Sequence, residues 1–390
     1  MNEPKQKKAE SAGRTIPIPS RLALKNEKSP GLWITAVEGP AHKEFHLTLQ
    51  LLPSEKPRKM VRRLATVLQE RNAIVVRHEI FGSNAAHQEI MRVLQQEICN
   101  FEWPVMWIGG GKDTENAISG MHVFAVAGTH VDTIRWEGEP VGRVFSDGYE
   151  RHCFLENVKP SNLTASKSAQ CHETFEKMER LLLEAGMGMT NVVRTWFFLD
   201  DILSWYAEFN NARIGFFKKR KLLHGLLPAS TGVGGRSPTG VAIVGRAWAV
   251  QALKSSIAVQ AAPSPLQSSS MEYGSAFSRA VSVDTSSCRR LLISGTASIG
   301  SDGRSLHTGD LNGQIGLSMK VVRRILVSSG FDFSHVTRAT TYFKNTQDAP
   351  AFDLWRKRQG LEPFPLIATQ STICRDELLF EIELDALIAF

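Results

Sequence analysis

The chain has 390 residues, 42% of them hydrophobic, and a formal net charge of +7. That is enough apolar material for two or three packed units. No run of residues approaches the roughly 20 apolar positions of a membrane-crossing helix. The five cysteines (Cys99, Cys153, Cys171, Cys288, Cys374) form no CxxC pair and no His/Cys ligand spacing, so reduced thiols in a cytoplasmic protein are expected, with neither disulfides nor a metal site.

The N-terminal stretch MNEPKQKKAESAGR is basic and polar with no apolar core behind it; residues 1–30 are expected to be a disordered tail and not a signal peptide. Helical spacing then follows in MVRRLATVLQE at Val61, Leu64 and Leu68. Next come an apolar strand pattern in AIVVRHEIFGS with Arg77, a helix around AAHQEIMRVLQQEI and a strand in GMHVFAVAG.

The same order returns more clearly further on. CHETFEKMERLLLEAG has apolar positions at Cys171, Phe175, Met178 and Leu182, and IGLSMKVVRRILVSSG repeats them at Ile315, Met319, Val322 and Leu326, 144 residues later. Both stripes have the helical period, and both stop at a glycine, Gly186 and Gly330. A strand rich in β-branched and aromatic residues follows each, carrying Arg194 in one and Arg338 in the other. A second helix (DILSWYAEFNNARIGFFKKR; QDAPAFDLWRKRQ) and a closing strand (AIVGRAWAV; LLFEIELDALI) complete each unit.

The predicted organisation is three tandem α+β units, each a sheet with two helices on one face, over 31–145, 146–257 and 270–390. VQAAPSPLQSSSMEYG is the expected flexible connection, with a linker at 258–269. The GVGG run at 232–235 lacks the spacing of a phosphate loop and is read as a hairpin-like turn. In the closing FEIELDALIAF, Phe380, Ile382 and Leu384 alternate with Glu381, Glu383 and Asp385, the pattern of a half-buried strand with three carboxylates on its other face.

These features resemble the RidA/YjgF superfamily, through LLISGTASIG, FPLIATQST and EIELDALIA in the third unit and VVRTWFFLDDI, EFN and PASTG in the second. The resemblance implies a trimer-like arrangement with ligand pockets between neighbouring units, built here by one chain as a pseudo-trimer that stays monomeric or associates further. It also implies that Glu381 is the water-orienting glutamate and that Ser294 and Gly295 form the Ser-Gly turn. The arginine that holds a substrate carboxylate in family deaminases is absent: the turns read Pro228-Ala229-Ser230 and Pro365-Leu366-Ile367, and Val244 stands where the second unit would carry the glutamate.

A second branch, the chorismatases, which hydrolyse chorismate to pyruvate and a cyclic acid, is resembled in SGTASIGSDGRSLHTGD and CRDELLFEIE and in an arginine-bearing strand followed by EFNNAR. The expected pocket lies between the second and third units. Glu381 would be catalytic, with Arg194, Asn210, Arg213, Ser294, Gly295, Thr296 and Cys374 binding substrate, while Glu383 and Asp385 would serve solvent or partners. Trp196 and Tyr206 are read as core aromatics that could reach the cleft. The expected activity is hydrolysis of an anionic enol ether, imine or enamine without a cofactor, a RidA-type 2-iminoacid/enamine deaminase and a non-catalytic metabolite-binding protein being the alternatives. Some family members carry ribonuclease (L-PSP) labels. This chain has no aromatic-basic RNA-binding motif, so a small anionic metabolite and not nucleic acid is the expected partner.

Overall fold

The computed structural model describes residues 23–39, 42–99, 101–110, 118–254, 257–285 and 288–390. In the first unit the strands are β1 (Ala23–Ser29), β2 (Leu32–Glu38), β3 (Lys43–Leu49), β4 (Ile74–Gly82), β5 (Met106–Gly109) and β6 (Ile118–Ala127), with helices α1 (Pro57–Glu70) and α2 (Asn84–Glu97). The second has β7 (Val131–Trp136), β8 (Glu139–Ser146), β9 (Glu150–Val158), β10 (Val192–Leu199), β11 (Ala229–Gly234) and β12 (Ile243–Ala252), with α3 (Lys167–Glu184) and α4 (Tyr206–Lys219). The third has β13 (Ala258–Ala261), β14 (Ala280–Asp284), β15 (Cys288–Ala297), β16 (Val336–Phe343), β17 (Leu366–Gln370) and β18 (Phe380–Ala389), with α5 (Leu311–Ser328) and α6 (Ala349–Arg358).

Each unit is one six-stranded sheet with the same strand order: β1-β2-β3-β6-β4-β5, β7-β8-β9-β12-β10-β11 and β13-β14-β15-β18-β16-β17. The last pair in each, such as β10 with β11, runs parallel, because a helix carries the chain back between them. The fold is therefore α+β in three tandem units. The 144-residue repeat is literal in the second and third: α3 and α5 both have 18 residues, and each is capped by a side chain, Ser166 accepting from the Ala169 amide and Asp310 from that of Gly313. Gly186 and Gly330 follow in the left-handed conformation that ends a helix cleanly.

Helices cover one face of each sheet and build three separate cores, around Met60, Phe175 and Met319. The other faces meet one another in a fourth core, where Phe81, Phe124, Phe154, Trp196, Trp248, Leu292 and Tyr342 from all three units pack together. Sheets buried on both faces have no solvent side. This overturns the reading of Phe380–Ala389 as a half-buried strand: Glu383 is fully buried and Asp385 is 6% exposed.

Those carboxylates belong to a buried ionic network at the centre. Arg194 donates to Glu383 (2.7 Å), Arg338 to Glu79 (2.8 Å) and to Glu383, and Arg246 to Glu79 (2.8 Å) and Glu156 (3.0 Å). Asp385 lies between Arg338 (3.4 Å) and Arg77 (3.7 Å). The ring of Trp196 sits among these guanidiniums, the carbons of Arg194 and Arg246 being 4.8 and 4.6 Å from its centre. Arginine recurs at one register place in all three units (Arg77, Arg194, Arg338), so the network is the charged axle of the pseudo-trimer.

Four segmental expectations change. Of the expected tail at 1–30, residues 23–29 form β1, paired along its length with β2, and 1–22 lie outside the described residues. β7 and β8, assigned by sequence to the first unit, extend the second sheet through the β8–β9 pairing, and the expected linker opens with β13, an edge strand on β14. Residues 232–234 form no hairpin; they lie in β11, parallel to β10, where the close approach of Gly234 to Thr372 leaves no room for a Cβ. No helix among the described residues is long and apolar enough to cross a membrane.

Candidate active site

A cleft of about 390 Å³ opens between the second and third units. From the second unit, α4 turns one face into it: Tyr206, Asn210 and Arg213 recur at helical spacing, while Phe209, one position off that stripe, is buried and anchors the helix in its own core. Ser230 and Gly232 of β11 form the floor. From the third unit come Phe277 and Arg279 ahead of β14, Gly295 and Ala297 of β15, Cys374 and Arg375, and Glu381 of β18.

Glu381 and Gly295 fit as a pair. The β15–β18 register slips between Ile293 and Thr296, so that Ser294 and Gly295 together oppose Glu383, a β-bulge. The bulge brings the Gly295 backbone under the Glu381 carboxyl. A Cβ on Gly295 would lie 2.0 Å from Glu381 Oε1 and 3.0 Å from its Cδ. Gly295 N–H donates to Thr231 Oγ1 of the second unit (3.0 Å), and that hydroxyl in turn donates to Glu383. The site is thus tied to the ionic network one residue behind it. Gly295→Ala is expected to push the carboxyl out of place and lower turnover by roughly 100-fold, with the overpacking costing about 1–3 kcal/mol. Steady-state rates beside an unfolding curve separate the two effects.

Glu381 is 4% exposed. Burial, and then the negative charge of Glu383, push its pKa up to about 8, against partial relief from Arg194 and Arg279. At neutral pH it is a protonated acid beside a cationic cleft. Its neighbour Cys374 is held as a thiol, pushed up to about 12 by burial and by Glu381, which removes it as a nucleophile.

The positive charge comes from three guanidiniums. Arg213 donates to Asn210 Oδ1 (2.6 Å), which also accepts from Ser275 Oγ of the third unit (3.2 Å), so the helix is pinned across the interface. Arg213 and Arg279 lie on the ring of Phe277 at 5.6 and 5.5 Å. Arg375 is oriented by the Gly303 carbonyl (2.8 Å) and Ser305 Oγ (3.2 Å).

Of the residues singled out by sequence, Glu381, Asn210, Arg213, Gly295 and Cys374 meet in this cleft, and Tyr206 lines it too. Three do not. Arg194 is fully buried in the ionic network, donating to Glu383 and Thr231; Ser294 Oγ accepts from Ser230 N–H of the second unit (2.8 Å) and donates to the Ser278 carbonyl of its own unit (2.6 Å); and Thr296 Oγ1 turns back to the Ser294 carbonyl. Trp196 is likewise central core and not cleft. Arg279, Arg375 and Phe277 were not foreseen. Arg375 stands in the CRDELLFEIE motif, whereas Arg279 in FSRAVSV carries no local signal, because its place depends on where β14 begins relative to another unit.

No protein-family model matches the sequence, and no curated protein is significantly similar to it. Among solved structures, a RidA from an Antarctic Psychrobacter (17% identity, TM-score 0.28) and a protein of the conserved Rid family from Yersinia pestis (18%, 0.29) each match about one unit, covering 33% and 34% of this chain and 99% and 100% of their own. Each match is thus about the length of one of the three units that share a single strand order. A chorismatase crystal structure matches across the units, over 80% of this chain and 92% of its own, with a TM-score of 0.55 and 16% identity. The likeness is one of fold.

Proposed function

We propose that the chain is a hydrolase of a small anionic metabolite bearing an enol ether, imine or enamine, working in the cleft between the second and third units. The observation that carries this reading is Glu381: a buried carboxyl over a bulge glycine, in a cleft also lined by three arginines. The missing turn arginine loses its force, since Arg213, Arg279 and Arg375 offer a clamp from other elements. A bound anion would raise the Glu381 pKa further and keep it loaded with its proton.

For an enol ether, Glu381 gives its proton to the terminal methylene carbon, forming a C–H bond. Water adds to the oxocarbenium carbon and returns a proton to the carboxylate; the hemiketal then collapses, its C–O bond breaking to release a keto acid and an alcohol. The chorismatase likeness makes chorismate the first substrate to test, with pyruvate release as the readout. Release of pyruvate supports the reading. No release from chorismate, followed by no ammonia from 2-aminoacrylate generated in situ, would overturn it in favour of a binding protein.

The working form is the acid, so the rate is expected to hold through neutral pH and fall as pH rises through about 8. A rate that instead rises over that range contradicts the assignment.

A further inference from the structure

A second cleft, about 310 Å³, lies between the third and first units, at the place corresponding to the first by pseudo-symmetry. The third unit supplies α6 and β17 where the second supplied α4 and β11. Phe352-Asp353-x-x-Arg356 stands for Phe209-Asn210-x-x-Arg213, and Leu366 and Ala368 line the floor where Ser230 and Gly232 did. The first unit supplies β2 and β3. The strand pairings put Trp33 in the register place of Arg279 and Gly120 in that of Glu381.

Three changes convert the chemistry. The acid is gone, and the Ile367 side chain, 3.2 Å from where a Gly120 Cβ would stand, fills its space. The bulge is gone with it, Thr48 alone opposing His122. An arginine has become an indole. The cleft itself has nevertheless stayed open. At the remaining interface the place of Gly232 is taken by Trp107, which is 5% exposed and packs edge-on against His87 at 5.0 Å.

We propose that this cleft binds, without turning it over, a compact planar monocarboxylate of the benzoate class. Its walls carry Trp33, Phe352 and Phe364 for the ring, and Trp33 Nε1 is a buried donor without a hydrogen-bond partner among the described residues. The carboxylate faces Arg356, which is only 12% exposed and held in place by the Leu361 carbonyl (2.6 Å) and Asp353 (3.3 Å). Lys28 sits 4.9 Å over the Trp33 ring at the rim. Asp353, the cleft's carboxylate, is 66% exposed and already paired with Arg356. One half-buried guanidinium and one lysine suit a single negative charge, where the catalytic cleft offers three arginines.

Benzoate binding, followed by titration calorimetry on the full chain, tests this without reference to any activity. Arg213→Gln should leave one benzoate site intact, whereas Arg356→Gln and Trp33→Leu should each weaken it at least tenfold at an unchanged melting temperature. Trp33→Leu should leave any turnover in the first cleft unaltered, and its milder change guards against a folding defect in the arginine variant. Binding that ignores both substitutions, no benzoate binding at all, or equal binding of benzylamine would overturn the proposal. Failure of the hydrolase reading leaves these outcomes as they stand.

Discussion

Glu381→Gln is expected to lower turnover by 100-fold or more while leaving substrate affinity and fold in place. Glutamine keeps the size and polarity of a protonated carboxyl, so the packing over Gly295 survives. What it loses is the proton. The same substitution has a signed effect on stability. The folded-state pKa of Glu381, about 8, lies above its unfolded value near 4.5. Between those values the folded protein keeps a proton that the unfolded chain has released, so this residue's contribution falls as pH rises through that window. Glu381→Gln removes that loss. The variant should match the wild type near pH 4 and exceed it by a few kcal/mol at pH 9, as read from urea unfolding midpoints at the two pH values. A loss of activity accompanied by equal instability at both pH values would make Glu381 structural.

Arg338→Met is expected to have the largest effect on folding, about 3–5 kcal/mol. Arg338 faces Glu79 of the first unit and Glu383 and Asp385 of its own. Its removal leaves buried carboxylates short of their counter-charge in a core that admits no solvent. Burial opposes ionisation of Glu79 and Glu383, and the neighbouring arginines overcome it, holding both below the usual carboxylate range. The network therefore contributes its stability above the unfolded carboxylate pKa and loses it as pH falls through the lower folded values. Arg213→Met, in the cleft wall and outside the central network, should cost less in unfolding free energy. Equal costs for the two arginines would show that the central network does not hold the units together.

Much of the fold was legible because each unit writes its own local pattern. The stripes at Cys171–Leu182 and Ile315–Leu326, ended by Gly186 and Gly330, fix two helices with their caps, and the repeated arginine strands fix the order around them. The same periodicity misled at the last strand. Alternation of apolar and acidic residues in FEIELDALIAF says that two faces differ, but not that the acidic face meets two other sheets instead of water. Charge balance across units decided it: Glu383 and Asp385 find Arg194, Arg338 and Arg77, which lie far away in sequence. For the same reason sequence alone suggests a substrate ligand at Arg194, which the fold places in the network instead. An arginine on a strand gives no sign of which face it takes, and its recurrence in all three units pointed to the shared axle. At the cleft, residues carried by one helix face (Asn210, Arg213) or by the bulge (Gly295) were readable, while Arg279 came from a strand end that only the assembled interface brings near.

The most direct test of the account is an infrared pH titration of the wild type minus Glu381→Gln, following the carboxylic acid C=O band. The expected result is a protonated carboxyl at neutral pH that ionises around pH 8. A band already lost by pH 5 would mean an ordinary ionised glutamate and would contradict the assignment of Glu381 as the acid of this site.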